Sequence, residues 1–111
     1  MYITNAFSLN MLPERKFGER KLQLVGPMTP GAIKVYINSL GITLESAIGH
    51  ADTAAVVSAD LGIQLAVNRI DVKLDEPGGI VVAQYTGPRL PEGATKLPEG
   101  ATLRYWLIWE L

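Results

Sequence analysis

Residues 44–62 read LESAIGHADTAAVVSADLG, and this stretch decides the fold. Leu44 to Ile48 suits a short strand, Gly49 breaks it, and the apolar positions Ala54, Val57 and Leu61 then follow helical spacing until Gly62. A change from two-residue to 3.6-residue periodicity inside one segment marks a strand running directly into a helix. His50, the one histidine of the chain, sits at that junction.

The flanking sequence repeats the alternation. Thr29-Pro30 is a helix-start signal, Ile33, Tyr36, Ile37 and Leu40 form one helical face, and Gly41 ends it. Strands are predicted at Tyr2–Phe7, running into a turn at Ser8–Pro13, and at Arg20–Val25, which Gly26-Pro27 should break. Arg69–Leu74 alternates polar and apolar residues and predicts a further strand. After a turn over Asp75–Gly79, Ile80–Ala83 reads as a buried strand and Leu103–Trp109 as the last one. The expected architecture is α/β (α+β): a small mixed β-sheet of about five strands flanked by helices, in a single domain spanning residues 1–111.

Composition narrows the function. The chain has 111 residues, 48% of them hydrophobic and only 19% charged, a low share that favours an oligomer. Ten Lys and Arg against eleven Asp and Glu give a formal net charge of −1, so no general basic field advertises duplex DNA or a membrane. There is no cysteine, hence no disulfide and no thiolate nucleophile. One histidine, with no DxD or HxxxH spacing, argues against a metal site or a metal cofactor. No apolar run is long enough to span a bilayer, and the N-terminus has no basic-then-apolar leader, so the expected location is the cytoplasm.

Leu90–Thr95 (LPEGAT) recurs as Leu97–Thr102, seven residues on. Each copy carries proline and glycine, so the duplication reads as loop. His50 has two readings on residue type alone. It is either a plain helix-start residue, or a proton donor beside an anion held by free helix-start amides that Gly49 leaves accessible. Arg89 with Glu92 reads either as a solvated loop pair or as a phosphate-binding arginine with an orienting carboxylate. Asn5, Ser8 and Asn10 suit turns as well as they suit adenine and ribose. Arg69 suits an exposed strand face as well as a phosphate.

Four stretches in order favour the functional readings: Asn5-Ala6-Phe7-Ser8-Leu9-Asn10-Met11-Leu12, Ile48-Gly49-His50, Asn68-Arg69-Ile70-Asp71-Val72-Lys73 and Arg89-Leu90-Pro91-Glu92-Gly93. Together they resemble the viral ring nuclease family, anti-CRISPR proteins with an N-A-F-S-x-N-M-L start, an I-G-H motif, an N-R-x-E-x-K strand and an R-L-x-E-G loop. The resemblance implies a homodimer that binds cyclic tetra-adenylate, the messenger of type III CRISPR immunity. It further implies metal-free cleavage to linear di-adenylates with 2′,3′-cyclic phosphate ends. His50, Arg89 and Glu92 would be catalytic, while Asn5, Ser8, Asn10, Gly49 and Arg69 would bind the ligand. The chain departs from the pattern in two places. Gly87-Pro88 precedes Arg89 where relatives carry a polar residue, and the LPEGAT duplication replaces a covering helix. A non-cutting messenger sponge and a structural viral protein are the alternative functions.

Overall fold

Five strands and two helices are present in the computed structural model, which describes residues 1–74 and 78–111. In chain order they are β1 (Tyr2–Thr4), β2 (Leu22–Met28), α1 (Pro30–Leu40), β3 (Glu45–Ser46), α2 (Ala51–Leu61), β4 (Ile80–Thr86) and β5 (Thr102–Glu110), with a 3-10 turn at Leu9–Met11. The strands form one mixed sheet in the order β2-β5-β4-β1-β3. β1 is parallel to both β3 and β4, whereas β5 is antiparallel to β4 and β2.

The alternation along β4 and β5 sorts the core onto two faces. Val81, Ala83, Leu103, Tyr105 and Leu107 point to the side covered by both helices, where they meet Ile33, Ile37, Ala54, Val57 and Leu61. Ile80, Val82 and Ile108 point the other way, onto a smaller cluster with Ala47, Val72 and Leu74. No helix covers that second face; the segments holding Phe7, Met11 and Leu12 and holding Val72 and Leu74 pack over part of it. The chain is thus a single compact α/β domain with its helices on one side.

The helix signals act as read. Thr29 caps α1 by accepting from the Ala32 amide at 3.1 Å, Pro30 opens the helix, and Gly41 closes it at φ +64. Gly62 closes α2 in the same left-handed conformation.

Three strand expectations need correction. Arg69–Leu74 forms no strand, although Val72 and Leu74 turn inward and Asp71 and Lys73 outward as alternation requires. Its tethers are isolated bonds, with the Asn68 amide donating to the Ile48 carbonyl at 2.8 Å and the Leu74 amide to the Met11 carbonyl at 2.7 Å. The neighbouring edge strand β3 is two residues long, so it offers no ladder to join. Gly26-Pro27 does not end β2, which continues to Met28 through a register shift between Val25 and Met28. An edge strand tolerates proline and a bulge. Gly26 lies so close to β5 that a Cβ there would sit 2.9 Å from Trp106 Cε3, which keeps the two strands together. The first strand stops at Thr4, leaving Asn5–Phe7 outside it. Residues 75–77 of the predicted turn lie outside the described residues.

Candidate functional site

Because β1, β3 and β4 run in the same direction, their carboxyl ends lie along one edge of the sheet. Asn5 follows β1, Gly49 and His50 follow β3, and Arg89 follows β4. Ligands of open α/β sheets bind beyond the carboxyl ends of parallel strands, which makes this edge the candidate site. Three sequence-distant motifs thus meet at one edge.

His50 is the N-cap of α2, with extended backbone angles (φ −124, ψ 131). Its side chain makes no capping bond and is exposed, although its carbonyl accepts from the Ala54 amide at 3.0 Å. A polar side chain in a capping position that leaves the helix amides uncapped keeps both imidazole nitrogens available. Gly49 packs against Arg69 at ordinary contact distance. A Cβ there would lie 3.4 Å from Arg69 Nε, and Arg69 Nη2 donates to the Gly49 carbonyl at 3.3 Å. Arg69 is therefore held against the strand-to-helix junction that presents His50.

Arg89 and Glu92 sit in the loop between β4 and β5, both exposed. Among the described residues no ion pair joins them or ties either to His50; the ion pairs there are those of Arg15 and Arg20 with Glu110. Both charges face solvent. The loop is fixed by its backbone. Tyr85 Oη donates to the Pro88 carbonyl, Gly87 (φ +148) backs onto Ala101, and the Gly93 amide donates to Asp52 Oδ1 at 3.1 Å. Asp52 lies in the first turn of α2, so this last bond joins the arginine loop to the helix that His50 caps.

The two copies of LPEGAT fold alike. Ala94 donates to the Pro91 carbonyl and Ala101 to the Pro98 carbonyl, both at 3.1 Å, and Gly93 and Gly100 adopt φ of +79 and +81. Only the first turn is bonded to α2, which distinguishes Glu92 from its duplicate Glu99. Residues 87–101 hold turns and no helix.

The N-terminal polar residues divide. Asn5 lines a hollow of about 420 Å³ on the helix-free face, beside Phe7, Gln84 and Trp106. Ser8 and Asn10 line a different hollow of about 370 Å³ with Asp71 and Lys73. Ser8 also plays the turn role open to it, since its Oγ accepts from the Asn10 amide at 3.2 Å to cap the 3-10 turn. Lys73 Nζ donates to the Asn10 carbonyl at 2.5 Å, which brings a cation to that hollow. The structure thus joins Gly49, His50 and Arg69 at one junction, links the Arg89–Glu92 loop to it through Asp52, and sets Ser8 and Asn10 apart from Asn5.

Asp52 is the polar residue that sequence reading passed over. An acid in the first turn of a helix is a visible signal, but its partner lies 41 residues away. Among the described residues no group of three or more His, Cys, Asp or Glu is placed to hold a metal ion, and no helix is long and apolar enough to cross a membrane.

Residues 1–104 match the STIV B116-like family, and the chain belongs to that family. Among solved structures it is similar to B116 of Sulfolobus turreted icosahedral virus, at 28% identity and a TM-score of 0.62, with 97% of each chain covered. No curated protein matches it.

Proposed function

We propose that this chain is a metal-independent ring nuclease that works as a homodimer on cyclic tetra-adenylate and so switches off type III CRISPR signalling. The observation that supports this reading is the bond from Gly93, in the loop that carries Arg89 and Glu92, to Asp52, two residues after His50, beside the carboxyl edge of the parallel strands. The resemblance of the four motifs supplies the ligand.

The chemistry follows from those groups. The ribose 2′-hydroxyl gives its proton to the Glu92 carboxylate and attacks the adjacent phosphorus, the bond from phosphorus to the 5′-oxygen breaks, and a 2′,3′-cyclic phosphate forms. His50 gives its proton to the departing 5′-oxygen, a task worth about 10²–10⁴-fold. Arg89 forks onto the phosphate oxygens and stabilises the charge that grows there. Glu92 faces the 2′-hydroxyl side, and Arg69 and Asn5 hold neighbouring phosphate and base. A two-fold dimer offers every group twice to a ring that is itself two-fold symmetric, so two cuts give two di-adenylates.

The test incubates purified protein with cyclic tri-, tetra- and hexa-adenylate in excess EDTA and separates the products. Linear di-adenylate with a 2′,3′-cyclic phosphate end, from a protein that scatters light as a dimer, is the expected result. A ring left intact while raising the melting temperature would mean a sponge, and no thermal shift at all a structural protein. Activity lost in EDTA and restored by a divalent ion would overturn the metal-free mechanism.

A further inference from the structure

We propose that Asp52 is a positioning residue, whose carboxylate sets the Arg89–Glu92 loop against the His50 end of α2. The proposal rests on the ring-cleavage reading above and adds a residue to it.

The loop has two ends, held differently. At its start, Tyr85 bonds the Pro88 carbonyl and Gly87 presses on Ala101, where an added Cβ would come within 2.8 Å of the Ala101 Cα. Both contacts belong to β4 and the approach to β5, so they fix the loop to the sheet. At its far end the Gly93 amide donates to Asp52 Oδ1 at 3.1 Å, which fixes the loop to α2. Arg89 and Glu92 lie between these two anchors. Leu90 and Ala94 add partly buried apolar contact with the helical core, so the loop stays attached without Asp52 but loses its directional link to the helix start.

The duplication provides an internal control. Leu97–Thr102 has the same sequence as Leu90–Thr95 and the same turn, with Gly100 at φ +81 against +79 for Gly93, yet among the described residues no acid bonds its glycine amide. The Gly93 bond is therefore not a by-product of the turn; it exists because Asp52 stands two residues after His50. A hydrogen bond to a carboxylate is among the stronger ones, and its geometry is set by a rigid helix on one side. Small misplacements of a reacting group lower rate more than affinity.

Asp52→Ala removes the acceptor, and Asp52→Asn keeps an Oδ1 that accepts from the same amide. In the full chain, without nucleotide, hydrogen exchange at the Gly93 amide should speed up in Asp52→Ala and stay close to wild type in Asp52→Asn. With cyclic tetra-adenylate, single-turnover cleavage by Asp52→Ala should fall about two- to ten-fold, the range one net hydrogen bond supplies, while ring affinity stays unchanged. Asp52→Asn should restore the rate. Unchanged Gly93 exchange in Asp52→Ala would show that no tether exists. Faster exchange with wild-type cleavage, or equal losses in rate and affinity that Asn fails to rescue, would overturn the positioning role. A wild-type protein that leaves the ring intact would instead remove the cleavage reading, and the exchange data would still report on the tether.

Discussion

Tyr105→Phe tests how the histidine-bearing helix is anchored. Tyr105 is fully buried on β5, and its hydroxyl donates to Asp60 Oδ2 at 2.6 Å, near the C-terminal end of α2. Burial, then the bond to Asp60, pushes the phenol well above its ordinary pKa, so the hydroxyl stays protonated and remains a donor. Phenylalanine keeps the ring and its packing but leaves the Asp60 carboxylate one partner short. A charge-assisted bond lost in this way costs about 1.5–3 kcal/mol. Asp60 is only half-buried, so water replaces part of the loss and about 1–2 kcal/mol remains. For a domain of this size that corresponds to a fall in Tm of about 4–8 °C. Thermal denaturation by circular dichroism at pH 7 measures it. Asp60→Asn and the double variant complete a cycle in which the two losses should not add. Raising the pH tests the buried hydroxyl as well, because a group whose pKa is raised by folding contributes fully below its unfolded value, about 10, and loses that contribution as the pH climbs toward the folded value. A Tyr105→Phe protein that melts within 1 °C of wild type, by the same scale, would show that about 0.2 kcal/mol or less rests on the bond and refute the reasoning.

Two further outcomes follow from the loop and the sheet edge. Glu92→Gln should slow ring cleavage whereas Glu99→Gln should not, because only the first LPEGAT turn is bonded to α2; equal effects in a product assay would contradict the distinction. The Arg20 guanidinium, bonded to Glu110 through Nε at 2.6 Å and Nη2 at 2.7 Å, holds that carboxyl below its ordinary range. A carboxyl whose pKa falls on folding stabilises the protein above its unfolded pKa, and that stabilisation disappears as pH drops through the folded value. Glu110→Gln should therefore lower Tm at neutral pH and approach wild type as the pH falls below about 4. A Tm gap that is constant from pH 7 to pH 3, the range that spans that carboxyl's ordinary titration, would show that the pair does not act through ionisation.

Most of the architecture could be read from local signals. Thr29-Pro30 and Gly41 bound α1 because capping depends on a few neighbouring residues, and the run Ile80–Ala83 placed β4 in the core because a central strand is apolar on both faces. The error at Arg69–Leu74 has a physical source: alternation reports which side of a segment is buried, not whether a neighbouring strand is long enough to pair with it. Gly26-Pro27 misled for a related reason, since the cost of proline depends on whether a strand is at the edge. At the candidate site, residue types left two readings open and the resemblance of the four motifs singled out His50, Arg89 and Glu92, but nothing local pairs Asp52 with Gly93. Nor does anything local separate Asn5 from Ser8 and Asn10, which line different hollows.

The central claim is that the junction after β3 performs chemistry, and His50→Ala tests it most directly. Cyclic tetra-adenylate binding and single-turnover cleavage would be measured on the same folded variant. Binding should persist, because Arg89, Arg69 and the helix-start amides still meet the phosphates, while cleavage should fall on the order of 10²-fold or more. A folded His50→Ala protein that cuts the ring at the wild-type rate would make His50 a helix-start residue only, and the active site would lie elsewhere.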